Sequence, residues 1–238
     1  MIAIDAGNTR IKWGVHDGAR WLEQGALPTG EVSRLAEVSA GWPGAERVVA
    51  CNVAGEAVGA TIEAALASRF GALHWLRSSA QCCGVRNGYE YPERLGADRW
   101  AALIGARAQT ADACLVVCVG TATTVDWLAA DGEFRGGLIL PGVDLMRASL
   151  ARNTAQLPLA EGEFRCAPRN TMDAIVSGCL HAQIGAIERM YAKLAAEPGA
   201  RCLLTGGAAP SLVPHLQIPF VLVESLILDG LVRFGAAP

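Results

Sequence analysis

Two stretches of the chain follow one plan. The N-terminal run MIAIDAGNTRIKWGVHDGARW passes from an apolar strand through a glycine with small polar neighbours into a second strand, an Asp-Gly turn and further strand. From Leu115, LVVCVGTATTVDWLAADGEFRGGLILPG repeats that plan, with Gly120 in the place of Gly7 and Asp131-Gly132 in the place of Asp17-Gly18. Asp-Gly between alternating runs is a strong hairpin signal, so the repeat predicts a duplicated domain. In the first copy Met1 to Ile4 reads as a short buried strand, which Asp5 interrupts. A carboxylate there is core filler only if something pairs it. Gly7 permits a positive φ, and Asn8 and Thr9 suit a tight turn.

Helical patterns lie between and after the hairpins. Residues 56–70 carry apolar side chains at helical spacing with Gly71 as the stop, and 99–109 form a helix leading into the second half. Asn170 reads as the N-cap of a helix running to about Ala196 and closed by Pro198-Gly199. RCLLTGG is a strand, and FVLVESLILDGLVRFG a strand followed by a helix. This alternation predicts an α/β fold with mixed sheets. The boundary is expected near 108–112, giving domains 1–110 and 111–238 that face a ligand cleft.

The 238 residues suffice for a buried core, and 52% apolar against 18% charged residues describes a compact soluble chain. With a net charge of -3 and no basic run, nucleic acid is a poor main partner. No apolar stretch is long enough for a bilayer and the N-terminus lacks a signal-peptide layout, so a cytoplasmic protein is expected. Eight cysteines (51, 82, 83, 114, 118, 166, 179 and 202) form no C-x-x-C pair. They read as reduced core thiols, with metal binding the alternative. Only Lys12 and Lys193 are lysines, against eighteen arginines. Lys12 follows the first polar turn, where a flexible cation could reach a phosphate or simply lie exposed on a strand.

Neither G-x-x-x-x-G-K-[ST] nor G-x-G-x-x-G occurs, so a nucleotide enzyme would need another phosphate cradle. Two glycine turns, one per half, could supply backbone N–H groups and hydroxyls, with Asp5 holding Mg²⁺ through water. Asp98 stands where a helix begins and can be read either as an N-cap or as a base. Arg99 beside it would fix an anionic substrate, and the pair suits phosphoryl transfer to a small acid-bearing alcohol.

Taken in order, DAGNTRIK, GADRW, GTATTVD and NTMDAIVSG resemble the type III pantothenate kinases, within the acetate-kinase, sugar-kinase, Hsp70 and actin superfamily. The resemblance implies duplicated ribonuclease-H-like domains, with mixed β-sheets flanked by helices. It implies ATP binding by Asp5, Ala6, Gly7, Asn8, Thr9, Arg10, Ile11, Lys12 and Thr121. Tyr89, Gly96, Ala97, Asp98, Arg99 and Thr171 would line the pantothenate site, with Asp98 as base. The implied reaction makes 4'-phosphopantothenate from pantothenate and ATP with Mg²⁺, in a homodimer.

One position departs from the family's pattern. Many members of the family it resembles carry an acid two residues before the glycine of GTATT, which helps bind K⁺ or NH₄⁺ at the subunit interface; here that position is Cys118. A thiol is a softer and less anionic ligand than a carboxylate, so the monovalent-cation site is expected to be weak or lost. Two other readings of the chain are a related small-molecule kinase or phosphohydrolase, and a nucleotide-binding accessory or regulatory protein.

Overall fold

Strand β1 (Ile2–Ala6) is buried along its whole length, as a strand covered on both faces must be. It pairs antiparallel with β2 (Arg10–His16), which pairs antiparallel with β3 (Trp21–Pro28). After the short helix α1 (Leu35–Val38), β4 (Val48–Asn52) joins β1 in parallel on its other side. Helix α2 (Glu56–Phe70) crosses over to β5 (Leu73–Trp75), parallel to β4. The sheet order is β3-β2-β1-β4-β5. Ile2, Ile4 and Ala6 pack with Ile11, Trp13, Trp42, Ile62 and Leu66, and the rings of Trp13 and Trp42 lie 4.7 Å apart. Because strand side chains alternate, Ala3 and Asp5 face the opposite side of the sheet. A hairpin of β6 (Gln81–Cys82) and β7 (Val85–Asn87) then leads to helix α3 (Ala97–Gln109).

The computed structural model describes residues 1–237, and here it passes into a second compact unit. Strands β8 (Cys114–Val119), β9 (Ala122–Leu128) and β10 (Glu133–Pro141) follow one another, then helices α4 (Val143–Asn153) and α5 (Thr171–Tyr191). Strands β11 (Arg201–Thr205) and β12 (Phe220–Leu222) complete the sheet. β8 pairs antiparallel with β9 and parallel with β11, and β11 pairs parallel with β12. Within this seven-stranded sheet, β10-β9-β8-β11-β12 repeats the order of the first sheet, and β7 and β6 extend it beyond β10. Leu115, Val117 and Val119 point into a core with Leu180, Ile184, Ile187 and Leu204.

Neither unit is one continuous stretch. The first comprises Met1–Ala111, Asp131–Arg135 and the chain from Ser225; the second comprises Asp112–Ala130 and Gly136–Glu224. The compact units differ from the expected 1–110 and 111–238 in grouping 131–135 and the C-terminal helix α6 (Leu226–Gly235) with the first. Glu133 and Phe134 pair with Arg86 and Asn87 of β7, which draws the start of β10 into the first unit. Helix α5 ends five residues short of the expected Ala196. From Lys193 the chain tightens into turns closed by Lys193 N–H to Met190 O and Leu194 N–H to Tyr191 O, which buries Leu194 completely. Among the described residues no helix is long and apolar enough to cross a membrane.

Helix α6 packs on α3 by backbone contact. A Cβ on Gly230 would sit 1.8 Å from Ala101 O, and one on Gly105 would sit 2.2 Å from Leu226 O. In an exposed helix Gly→Ala is stabilising, but here the two helices would have to separate. Gly230→Ala is expected to lower stability by roughly 1–3 kcal/mol. Urea unfolding would show this as a reduced midpoint at unchanged slope.

Candidate active site

Asp5 sits in the middle of three strands. The register sets Lys12 of β2 opposite it on one side and Cys51 of β4 on the other. The Cys51 thiol donates to Asp5 Oδ1 at 3.5 Å, and Asp5 is 6% exposed. Burial pushes the Asp5 carboxyl up to about 6; the Lys12 charge partly offsets this, while the charge of Asp98 adds to it. Burial, reinforced by Asp5, holds the Cys51 thiol well above its usual range. Such a desolvated carboxylate is short of positive charge. That environment fits a hydrated divalent cation, whose charge would favour the ionised form.

Beyond Asp5 the strand turns. Gly7 N–H donates to Arg10 O, Thr29 Oγ1 donates to Gly7 O at 2.7 Å, and Asn8, Thr9 and Arg10 lie exposed. Gly7 does not use the positive φ it permits; a Cβ there would lie a tight 3.1 Å from Arg10 O. The second unit builds the matching turn, with Gly120 N–H bonded to Ala122 O and Thr121 exposed. Gly142 closes on it: its N–H donates to Thr121 O, and a Cβ there would come within 2.1 Å of Gly120 O. Cys118 stands in the second sheet as Asp5 does in the first, opposite Thr124 of β9 and Thr205 of β11.

Asp98 is not the N-cap of α3. Gly96 caps the helix, and Asp98, one residue inside its start, accepts the backbone N–H of Arg99 at 2.8 Å. Its carboxylate lies close over Gly96, where a Cβ would come within 2.6 Å of Oδ1. Arg99 is 4% exposed and donates to Tyr89 Oη at 2.6 Å. Its guanidinium lies 5.4 Å from the Tyr89 ring centre and 5.7 Å from that of Phe134, which is fully buried. Asn87 holds the loop by accepting Tyr89 N–H and donating to Pro92 O. Gly96 and Ala97 also border a cavity of about 710 Å³ in the first unit.

Thr171 opens α5 in the second unit. Asn170 caps the helix as expected, its side-chain oxygen accepting Asp173 N–H. Thr171 lines a cavity of about 1140 Å³ with Leu145, Met146, Leu150 and Ile175. Asp5, Lys12, Tyr89, Gly96, Asp98 and Arg99 all belong to the first unit, whereas Thr121 and Thr171 belong to the second. Cys51, Phe134 and Gly142 were missed by sequence reasoning. For Phe134 and Gly142 the signal was their place in and just after the second hairpin, while nothing local marks Cys51.

A family model described as type III pantothenate kinase matches residues 1–193. The chain is 61% identical over 231 residues to a type III pantothenate kinase of Aromatoleum aromaticum, covering 97% of this chain and 96% of the relative. The chain belongs to the type III pantothenate kinase family. Among solved structures it resembles a Campylobacter jejuni protein described as a conserved Baf family transcriptional activator, with TM-score 0.68 and 19% identity. That likeness covers 98% of this chain and 96% of the other. It also resembles a ROK family glucokinase of Streptomyces griseus, with TM-score 0.51 and 14% identity over 100% and 98% of the two chains. These similarities bear on fold alone, an α/β arrangement of two mixed sheets flanked by helices. Membership in a type III pantothenate kinase family carries with it a need for ATP and a divalent cation.

The Asp5 environment has a pH signature. The folded protein keeps a proton on Asp5 up to about pH 6, whereas the ordinary carboxyl releases it at 3.8. Stability contributed by this group is therefore lost as pH rises from about 4 through 6. Asp5→Asn is expected to flatten that segment. Relative to wild type its stability should rise by about 2 kcal/mol between pH 4 and pH 7, read by urea unfolding without divalent cations.

Proposed function

We infer that this chain transfers the γ-phosphoryl group of ATP to the terminal hydroxyl of pantothenate, giving 4'-phosphopantothenate on the way to coenzyme A. Family membership supports the reaction, and the Asp98–Arg99–Tyr89 arrangement supports the assignment of roles. In this reading Asp98 accepts the proton of the attacking hydroxyl, and its bond to Arg99 N–H holds the carboxylate in one orientation. Arg99, aligned by Tyr89 and Phe134, binds the pantothenate carboxylate. Tyr89, Gly96, Ala97 and Thr171 complete the substrate site.

Residues 5–12 and Thr121 bind ATP, with backbone N–H groups and hydroxyls of the two turns meeting phosphate oxygens. Asp5 is assigned to Mg²⁺, which supplies charge neutralisation for phosphoryl transfer when bound. Lys12, beside Asp5, adds a flexible cation for phosphate. A cytoplasmic homodimer belongs to the same reading. The exposed apolar side chains Ile139, Leu145 and Leu159 of the second unit are consistent with a covered face.

The direct test of the base is Asp98→Asn in a coupled ADP-release assay with pantothenate. Turnover should fall about 10²- to 10⁴-fold while ATP affinity stays the same. Turnover within a factor of two of wild type would remove Asp98 from the mechanism. Cys118 carries a second expectation: with a thiol where relatives have an acid, activity should depend little on K⁺ or NH₄⁺, and Cys118→Asp should increase the dependence. Titrating KCl against a bulky organic-cation chloride at constant ionic strength checks this; an absolute K⁺ requirement in the unaltered chain would refute it.

A further inference from the structure

Four of the eight cysteines, Cys51, Cys114, Cys179 and Cys202, are the buried core thiols that the sequence suggests. Cys82 and Cys83 are different. They occupy the tip of the β6–β7 hairpin, where Cys82 pairs with Val85 across a two-residue turn. Both turn residues have positive φ, +51° at Cys83 and +82° at Gly84, as a type I′ turn requires. Asn, Asp or Gly normally fills the first of these positions, and Cys83 is the only non-glycine residue with positive φ among the described residues. This conformation brings the two sulfurs to 3.5 Å. Both residues are part-exposed.

The spacing suits a chelate better than a bond. A disulfide has its sulfurs about 2.05 Å apart and usually its Cα atoms at least about 4.4 Å apart, whereas adjacent residues hold their Cα atoms at about 3.8 Å. Two bonds of about 2.3 Å from sulfur to one central atom span 3.5 Å at an angle of about 100°. That is a pyramidal rather than a tetrahedral angle. Among the described residues no group of three or more His, Cys, Asp or Glu side chains could hold a metal ion, so the centre must bring its own third ligand.

We propose that Cys82 and Cys83 form a dithiol site for a monosubstituted trivalent arsenical, held as a clamp at the hairpin tip with six atoms between the two sulfurs. With phenylarsine oxide two As–S bonds form and the arsenic–oxygen bond breaks. The oxygen leaves as water carrying both thiol protons, and arsenic stays trivalent throughout. Burial, then the neighbouring Cys83, raises the Cys82 thiol to about 11, so that thiol enters the reaction protonated. Cys114 and Cys202, on adjacent strands, are fully buried and out of reach.

The test is intact mass spectrometry of the reduced, folded protein after phenylarsine oxide and a wash with a monothiol. One phenylarsenic group per chain should survive the wash and leave on adding a dithiol. Cys82→Ser and Cys83→Asn should each weaken retention roughly 10²-fold or more, the usual consequence of cutting a two-point attachment to one. Asn suits the positive φ at 83, so the turn survives in that variant. Cys166→Ser, which removes an isolated exposed thiol, should behave as wild type. The proposal is overturned if wild type retains no phenylarsenic group after the monothiol wash, or if either hairpin variant retains as much as wild type.

Discussion

A carboxylate buried in the middle strand of a sheet is costly, and much of the first unit is arranged around the one at Asp5. Alternation along β1 sends Ile2, Ile4 and Ala6 into the apolar core and turns Asp5 to the other face. Its neighbours in register are a cation and a thiol, and neither fully offsets the loss of water. The result is a carboxyl half-protonated near pH 6, sensitive to any cation that approaches it. Asp98, at the start of α3, contributes to the same field.

The second carboxylate is held by a different logic. Asp98 is fixed by a backbone N–H, and Arg99 by a tyrosine hydroxyl and two aromatic faces. One of those rings, Phe134, comes from a five-residue segment of the second hairpin that belongs to the first unit by compactness. Its backbone also pairs with β7, and Gly88 is needed there because a Cβ would meet Phe134 O at 2.2 Å. A buried guanidinium with a hydrogen bond and ring contacts keeps one orientation, as recognition of a carboxylate requires.

Duplication supplied the frame and divergence the chemistry. The five-strand order of the first sheet recurs within the seven-stranded second, and both carry a glycine turn after their first strand. At matching places, however, one has Asp5 between Lys12 and Cys51, and the other has Cys118 between Thr124 and Thr205. In register, the first acid meets a cation and a thiol, and the second position pairs a thiol with two hydroxyls. The pairing of like architectures with unlike side chains explains why a repeat legible in the sequence does not imply two equal sites.

What the sequence determined by itself was local. The two strand–turn–strand units, the stop of α2 at Gly71 and the Asn170 cap each depend on side-chain periodicity or on bonds spanning three or four residues. The motif order carried the family as well, and with it the candidate residues. Tertiary structure alone decided which groups meet. Cys51 reaches Asp5 across 46 residues of chain, Phe134 lies beside Arg99, and Gly105 lets α3 approach α6 at Gly230. The same holds for the early end of α5, where burying Leu194 outweighs continued helix. In each case the deciding energy is burial or close contact between distant segments, which no local pattern encodes.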